Sequence, residues 1–139
     1  LSITLVLSLL LTGCAEKGVT EVKPAAVLNQ FEQGESFVVY LGLSYCSACK
    51  IFRSVIESSM KQIDFEVLYL EYDILMEDYE DELNSLITTY LEQNETFAYT
   101  FPILYVVEKG EIIDQFSLLQ TDTEIEFIDR LTQDGVISE

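Results

Sequence analysis

The 139-residue chain contains no histidine. Imidazole general-base catalysis and histidine-ligated metal sites are therefore excluded at the outset. Positive charge is scarce as well: 7 basic side chains stand against 25 acidic ones, a formal charge of −18. Nucleic-acid binding needs a basic footprint, so that class of partner falls away. The acidity suits a soluble surface and would also attract cationic partners. Only 2 prolines and 6 glycines accompany 49% hydrophobic and 12% aromatic residues, which is a globular composition. The length fits one domain with a hydrophobic core, and neither an internal repeat nor a second domain is visible. Cysteine is limited to Cys14, Cys46 and Cys49, an odd number for an exported chain.

Residues 1–12 are uncharged and mostly apolar and lead into Gly13-Cys14. A dozen residues fall short of the about 20 that span a bilayer, but they suit the apolar core of a signal peptide. Leu11-Thr12-Gly13-Cys14 resembles the bacterial lipobox, whose cysteine is lipidated on sulfur and becomes the new N-terminus after cleavage. The expected division is a lipoprotein signal peptide at 1–13, a polar tether at 14–23 and one domain at 24–139. That division places the protein on the extracytoplasmic face of a bacterial cell membrane, lipid-anchored through Cys14, and leaves Cys46 and Cys49 as one pair. An ordinary secretory signal with an incidental cysteine is the alternative. The chain starts at Leu1 without a methionine or a basic n-region, so further residues are expected upstream.

The tether merges into a first short strand or turn near Val19–Val22. Pro24 suits the first turn of a helix with Ala25, Ala26, Val27, Leu28 and Phe31 on its apolar face, ended by Gly34. The apolar run from Ser36 to Leu43 reads as a central strand buried on both faces. From Cys46 a helix spaces Ile51, Phe52, Val55, Ile56 and Met60 at helical intervals. Phe65 to Glu71 is a second strand, and Tyr72-Asp73 leads out of it. The acidic run from Glu77 to Glu82 suits a helix start, and Leu83, Leu86, Ile87, Tyr90 and Leu91 continue as one helical stripe. Helix-starting charge and core packing account for that segment better than a metal site or a cofactor box. Asn94-Glu95-Thr96 matches a glycosylation sequon and reads as a polar loop. Ile103 to Val107 is a strand, Lys109-Gly110 a tight turn, and Ile112 to Phe116 the antiparallel return. Asp122 or Thr123 caps a last helix carrying Ile125, Ile128 and Leu131, ended near Gly135.

Cys46-Ser47-Ala48-Cys49 lies between the central strand and its following helix. Free N–H groups at a helix start favour a thiolate, so a C-x-x-C at that junction is suited to thiol–disulfide exchange. The same spacing serves as half of a zinc site, but neither a second cysteine pair nor a histidine is present to complete one. Three stretches carry a family resemblance: Tyr45-Cys46-Ser47-Ala48-Cys49-Lys50, Thr100-Phe101-Pro102-Ile103-Leu104, and Lys109-Gly110-Glu111. Together with the element order they resemble the thioredoxin-like superfamily over roughly residues 24–134. The resemblance implies an α/β fold, a single domain with a central mixed β-sheet flanked by helices. It implies that Cys46 is the exposed attacking thiolate and Cys49 the buried resolving thiol. It also implies a cis peptide before Pro102, with Phe101 offering a backbone edge to an extended substrate and Tyr45 forming part of the docking surface.

Two departures from the family pattern matter. Tyr40 stands where thioredoxins commonly carry a buried aspartate. Ser47-Ala48 is neither the Gly-Pro of reducing thioredoxins nor a histidine-containing pair, so the expected potential lies nearer about −270 mV than about −120 mV. The Tyr-Cys-x-x-Cys site and the extended acidic middle are similar to bacteriocin-transport accessory proteins of Gram-positive bacteria. The implied function is a membrane-anchored thiol–disulfide oxidoreductase acting on disulfides of exported proteins or peptides. It needs no metal and no cofactor, and leaves room for a membrane redox partner. The contrasting reading is a non-catalytic binding module for cationic peptides, with Cys46–Cys49 as a structural disulfide.

Overall fold

The unbroken apolar run from Phe37 to Leu41 becomes the centre of the sheet because each of its faces finds a partner layer. A computed structural model of the protein describes residues 18–95, 100–117 and 123–137, apart from the side chains of 74–76. Cys14, the apolar segment before it, Thr96 of the sequon and Asp122 lie outside the described residues. Strand β1 is Val19–Glu21, β2 Phe37–Gly42, β3 Val67–Glu71, β4 Ile103–Glu108 and β5 Glu111–Phe116. They form one mixed sheet in the order β1-β3-β2-β4-β5. The first three strands of that order run parallel, whereas β4 is antiparallel to both β2 and β5.

Helices α1 (Pro24–Glu32), α2 (Ser47–Met60), α3 (Tyr72–Asp78), α4 (Glu80–Leu86) and α5 (Glu124–Gln133) complete the fold. Alternation along β2 splits the interior into two cores. Val38 and Tyr40 join Phe52, Ile56, Tyr69, Leu104 and Phe127 under α2 and α5. Val39 and Leu41 join Val27, Phe31, Leu70, Leu83 and Leu86 under α1 and α4. This is the layered mixed-sheet architecture expected from the sequence. The short strand expected near Val19–Val22 is the edge strand Val19–Glu21, paired with Val67–Tyr69. Gly110 closes the β4–β5 turn at φ +78°, and a Cβ there would stand 2.8 Å from the Phe31 carbonyl, so only glycine fits against the end of α1.

Several boundaries differ from the pattern reading. Strand β3 begins at Val67, because Phe65 turns instead toward Phe127, with ring centroids 5.9 Å apart. Tyr72–Asp78 is a helix, α3, where only an exit from the strand was expected. The long amphipathic stripe is broken: α4 gives way to a π-helical turn at Ile87–Leu91, closed by Glu92 N–H donating to the Ile87 carbonyl at 2.7 Å. The wider turn keeps Leu86, Ile87 and Leu91 all against the sheet. Ile51 and Ile125 are exposed (55% and 71%), because the buried faces of their helices run through Phe52, Ile56 and Met60 and through Phe127 and Leu131.

Helix α5 starts at Thr123, whose side chain and that of Glu126 form a capping box. Its far end is tied to β5 by Arg130, which donates two hydrogen bonds to Asp114, one of them at 2.6 Å. Burial opposes ionisation of Asp114, but the Arg130 hydrogen bonds, with smaller contributions beside them, hold its pKa below the ordinary value. Burial and then the neighbouring Asp114 carboxyl push Asp134 up from 3.8 to about 6. The signs are opposite. Stability from Asp114 is present above its ordinary pKa and lost as pH falls through the lowered one; that from Asp134 is complete below 3.8 and lost as pH rises through about 6. An amide at position 134 removes the second loss. Asp134→Asn is expected to raise Tm by roughly 2–5 °C at pH 7.5, limited by solvent screening, and to leave it unchanged below about pH 4. Thermal melts across that range check this, and a gain independent of pH would contradict it.

Candidate active site

Between Gly42 and Ser47 the chain turns from strand to helix. Cys46 N–H donates to the Leu43 carbonyl at 3.4 Å, and Lys50 N–H to the Cys46 carbonyl at 3.2 Å. Cys46 is the N-cap of α2, in an extended conformation, and its Sγ accepts the Cys49 N–H at 3.1 Å. A sulfur therefore occupies the capping position that a hydroxyl or carboxylate oxygen usually takes. Cys46 and Cys49 are joined by a disulfide, with their Cα atoms 5.2 Å apart. Cys46 is half-buried and Cys49 is 3% exposed, so one sulfur faces the surface and the other faces the core. Tyr45, immediately before the pair, is 76% exposed.

The antiparallel register of β2 and β4 pairs Leu41 with Ile103. Pro102, next to Ile103, thus lies at the sheet end where β2 runs into the cysteine turn. The Phe101–Pro102 peptide is cis. Pro102 is buried, and half-buried Phe101 touches both cores, its ring centroid 5.0 Å from that of Tyr72. The structure thus gathers Cys46, Cys49 and the Phe101–Pro102 bond at one end of the sheet, with Tyr45 exposed beside them. Cys14 lies outside the described residues.

Two contacts at this end were not foreseen from sequence. Asp73, at the start of α3, accepts both the Ser44 N–H (2.9 Å) and the Ser44 hydroxyl, clamping the turn that leads to Cys46. No local pattern signals a contact across 29 positions. Beneath the pair, the Tyr40 hydroxyl donates to the Cys49 carbonyl at 2.8 Å. Its ring stacks on Tyr69 at 5.0 Å and meets the edge of Phe52 at 5.4 Å. Arg53 lies 5.1 Å over the Tyr69 ring and reaches Glu57 at 2.9 Å and Glu21 at 3.6 Å. Burial, then the Glu71 carboxylate, push Tyr69 up to about 12. Burial raises Glu71 above the ordinary carboxylate value, with Asp73 and Glu21 adding to the shift. The flank of the cysteine turn is accordingly rich in negative charge.

Among the described residues no group of three or more candidate ligands could hold a metal ion, and no helix is long and apolar enough to cross a membrane. A cavity of about 410 Å3 lies at the other end of the sheet, with Phe37, Val107 and Asp134 in its lining, and includes none of the site residues.

No protein-family model matches the chain, and no curated protein does. Solved structures do. A point mutant of thioredoxin from Halobacterium salinarum superposes with a TM-score of 0.60 at 16% identity, covering 88% of this chain and 96% of that one. The oxidised thioredoxin of Plasmodium falciparum gives 0.57 at 15% identity over 84% and 98% of the two chains. Thioredoxin from Aeropyrum pernix gives 0.56 at 15% identity over 81% and 84%. At these identities the likeness establishes the thioredoxin fold.

The Asp73 carboxylate disfavours a thiolate nearby. Asp73→Asn keeps an acceptor for the Ser44 N–H while removing the charge. Alkylation of reduced Cys46 at pH 6 should then quicken by about two- to fivefold, from a lower thiol pKa. An unchanged or slower rate would show that the clamp acts through geometry alone.

Proposed function

We propose that the protein is a thiol–disulfide oxidoreductase acting on protein or peptide disulfides through the Cys46–Cys49 pair. The observation that carries this reading is the placement of Cys46 Sγ at the N-cap of α2, with the Cys49 N–H donated to it and Cys49 itself buried. A cap position that satisfies helix N–H groups with sulfur favours the anionic form, as the macrodipole also does. Reduced Cys46 attacks a client disulfide as thiolate, forming a mixed disulfide and releasing the first client sulfur. Cys49 then attacks Cys46 Sγ, closing the internal disulfide and freeing the second client sulfur. Run in reverse, the same two steps oxidise a client dithiol. Pro102 has no N–H of its own, which leaves the Phe101 backbone edge open to an extended chain and supports a docking role for it. Exposed Tyr45 extends that docking surface.

The finer parts of the reading rest on sequence. Lipidation at Cys14 would hold the site outside the cytoplasmic membrane, within reach of a membrane redox partner and of exported clients. Similarity to bacteriocin-transport accessory proteins rests on Tyr45, the Cys46–Cys49 spacing and the acidic middle of the chain. The solved structures compared are thioredoxins and carry no argument for it. The cationic-peptide reading keeps one structural support, the Glu21, Glu71 and Asp73 carboxylates acting on Tyr69 near the pair.

Cys46→Ser is expected to abolish insulin reduction, and Cys49→Ser to accumulate mixed disulfides with clients, seen as dithiothreitol-sensitive adducts on non-reducing gels. Full activity of Cys46→Ser protein would overturn the mechanism. For the anchor, labelled fatty acid should be incorporated into the native chain and not into Cys14→Ser; equal labelling would remove Cys14 from the account.

A further inference from the structure

Tyr40 is the only polar side chain of β2, and it is 1% exposed. Its ring is held between Tyr69 and Phe52. Gly42, next along the same face, leaves the space that this arrangement needs. A Cβ there would stand 3.0 Å from Tyr40 Oη and 3.0 Å from Tyr69 Cε2, closer than ordinary packing allows. With the ring confined, the hydroxyl is aimed at the Cys49 carbonyl. This carbonyl belongs to the residue whose sulfur faces the core, three positions into the redox turn.

We propose that Tyr40 is the positioning residue of the resolving step, its hydroxyl holding the Cys49 peptide so that Cys49 Sγ stays in line with the bond it attacks. This rests on the oxidoreductase reading given above. In that step Cys49 loses its thiol proton to water or buffer, and its sulfur forms a bond to Cys46 Sγ. The bond between Cys46 Sγ and the client sulfur breaks, and the client leaves as a thiolate that takes up a proton. Cys49 is oxidised and the client sulfur reduced. Attack of this kind requires the reacting atoms at about 3–3.5 Å and aligned, and a misplacement of about 1 Å costs on the order of 100-fold.

Tyr40 positions without moving the proton. Burial holds its phenol above the ordinary range, Tyr69 from β3 adding to the shift and Arg53 from α2 opposing it. The Glu71, Asp73 and Glu21 carboxylates act on Tyr69 in turn. The phenol is thus a neutral donor throughout the range in which thiols titrate.

Tyr40→Phe keeps the ring packing and deletes the hydrogen bond. Reduced protein mixed with dithiobis(nitrobenzoate) in a stopped-flow instrument releases one coloured thiolate on attack by Cys46 and a second on ring closure by Cys49. The first release should stay within about twofold of native, and the second should slow about tenfold, about 1.4 kcal/mol. The pH profile of the second release should keep its native shape, displaced downward. Tyr69→Phe, which removes the neighbouring hydroxyl, should leave both releases unchanged. A second release as fast as native, or both releases slowed by one common factor, would overturn the assignment. A changed profile shape would do so too, by making the phenol a proton carrier. A native protein that gives no second release would instead remove the oxidoreductase reading, and this inference with it.

Discussion

Strand β2 ends at Gly42 and helix α2 begins at Ser47, so the first free N–H groups of the helix meet the chain within four residues of the sheet. Cys46 sits in that gap, and the donation of the Cys49 N–H to its sulfur is the interaction on which the site depends. It caps the helix, ties the two cysteines together, and puts the Cys46 sulfur where negative charge is favoured. Everything nearby either holds this turn or aims something at it. Asp73 grips Ser44 on the way in, Tyr40 holds Cys49 from below, and the β2–β4 register delivers the cis peptide.

The two-sided burial of β2 fixes where the turn begins. Its side chains alternate into separate cores, one beneath α2 and α5 and the other beneath α1 and α4. The strand therefore shifts only if both layers repack, which close-packed interiors resist. Tyr40 is the price of a polar group in such a strand, offset because its hydroxyl finds the Cys49 carbonyl. Gly42 leaves room for the pairing of Tyr40 and Tyr69, which a Cβ there would crowd. The electrostatics around the pair pull in two directions: helix N–H groups favour a Cys46 thiolate, while a carboxylate, Asp73, sits on Ser44 two residues before it.

What was readable in the chain followed from period and punctuation. The apolar runs of β2 and β4, Pro24 opening α1, Lys109-Gly110 turning the hairpin and Thr123 capping α5 each have a local cause, and each stands where it was expected. The element order read from those patterns, together with the cysteine, proline and hairpin stretches, carried the resemblance that implied the fold. Local pattern failed where a long-range contact decides. Phe65 leaves its strand to meet Phe127, and the stripe after Glu80 widens into a π-turn to keep Leu91 on the sheet. Ile125 and Ile51 face outward because the buried faces of their helices run through Phe127 and Leu131 and through Phe52 and Ile56. At the site, the cysteines and Pro102 carried sequence signals. Asp73 with Ser44 is a product of the β2–β3 register across 29 positions, and the use of the Tyr40 hydroxyl depends on how α2 packs over β2, which local pattern does not encode.

The central claim is that Cys46–Cys49 is a reversible redox couple and not a staple. A redox titration of the pair, with alkylation and mass spectrometry at each ratio of reduced to oxidised dithiothreitol, tests it most directly. The account predicts a reversible two-electron transition with a midpoint nearer about −270 mV than about −120 mV. A pair that stays oxidised across the whole titration would contradict it and leave Cys46–Cys49 as a structural disulfide.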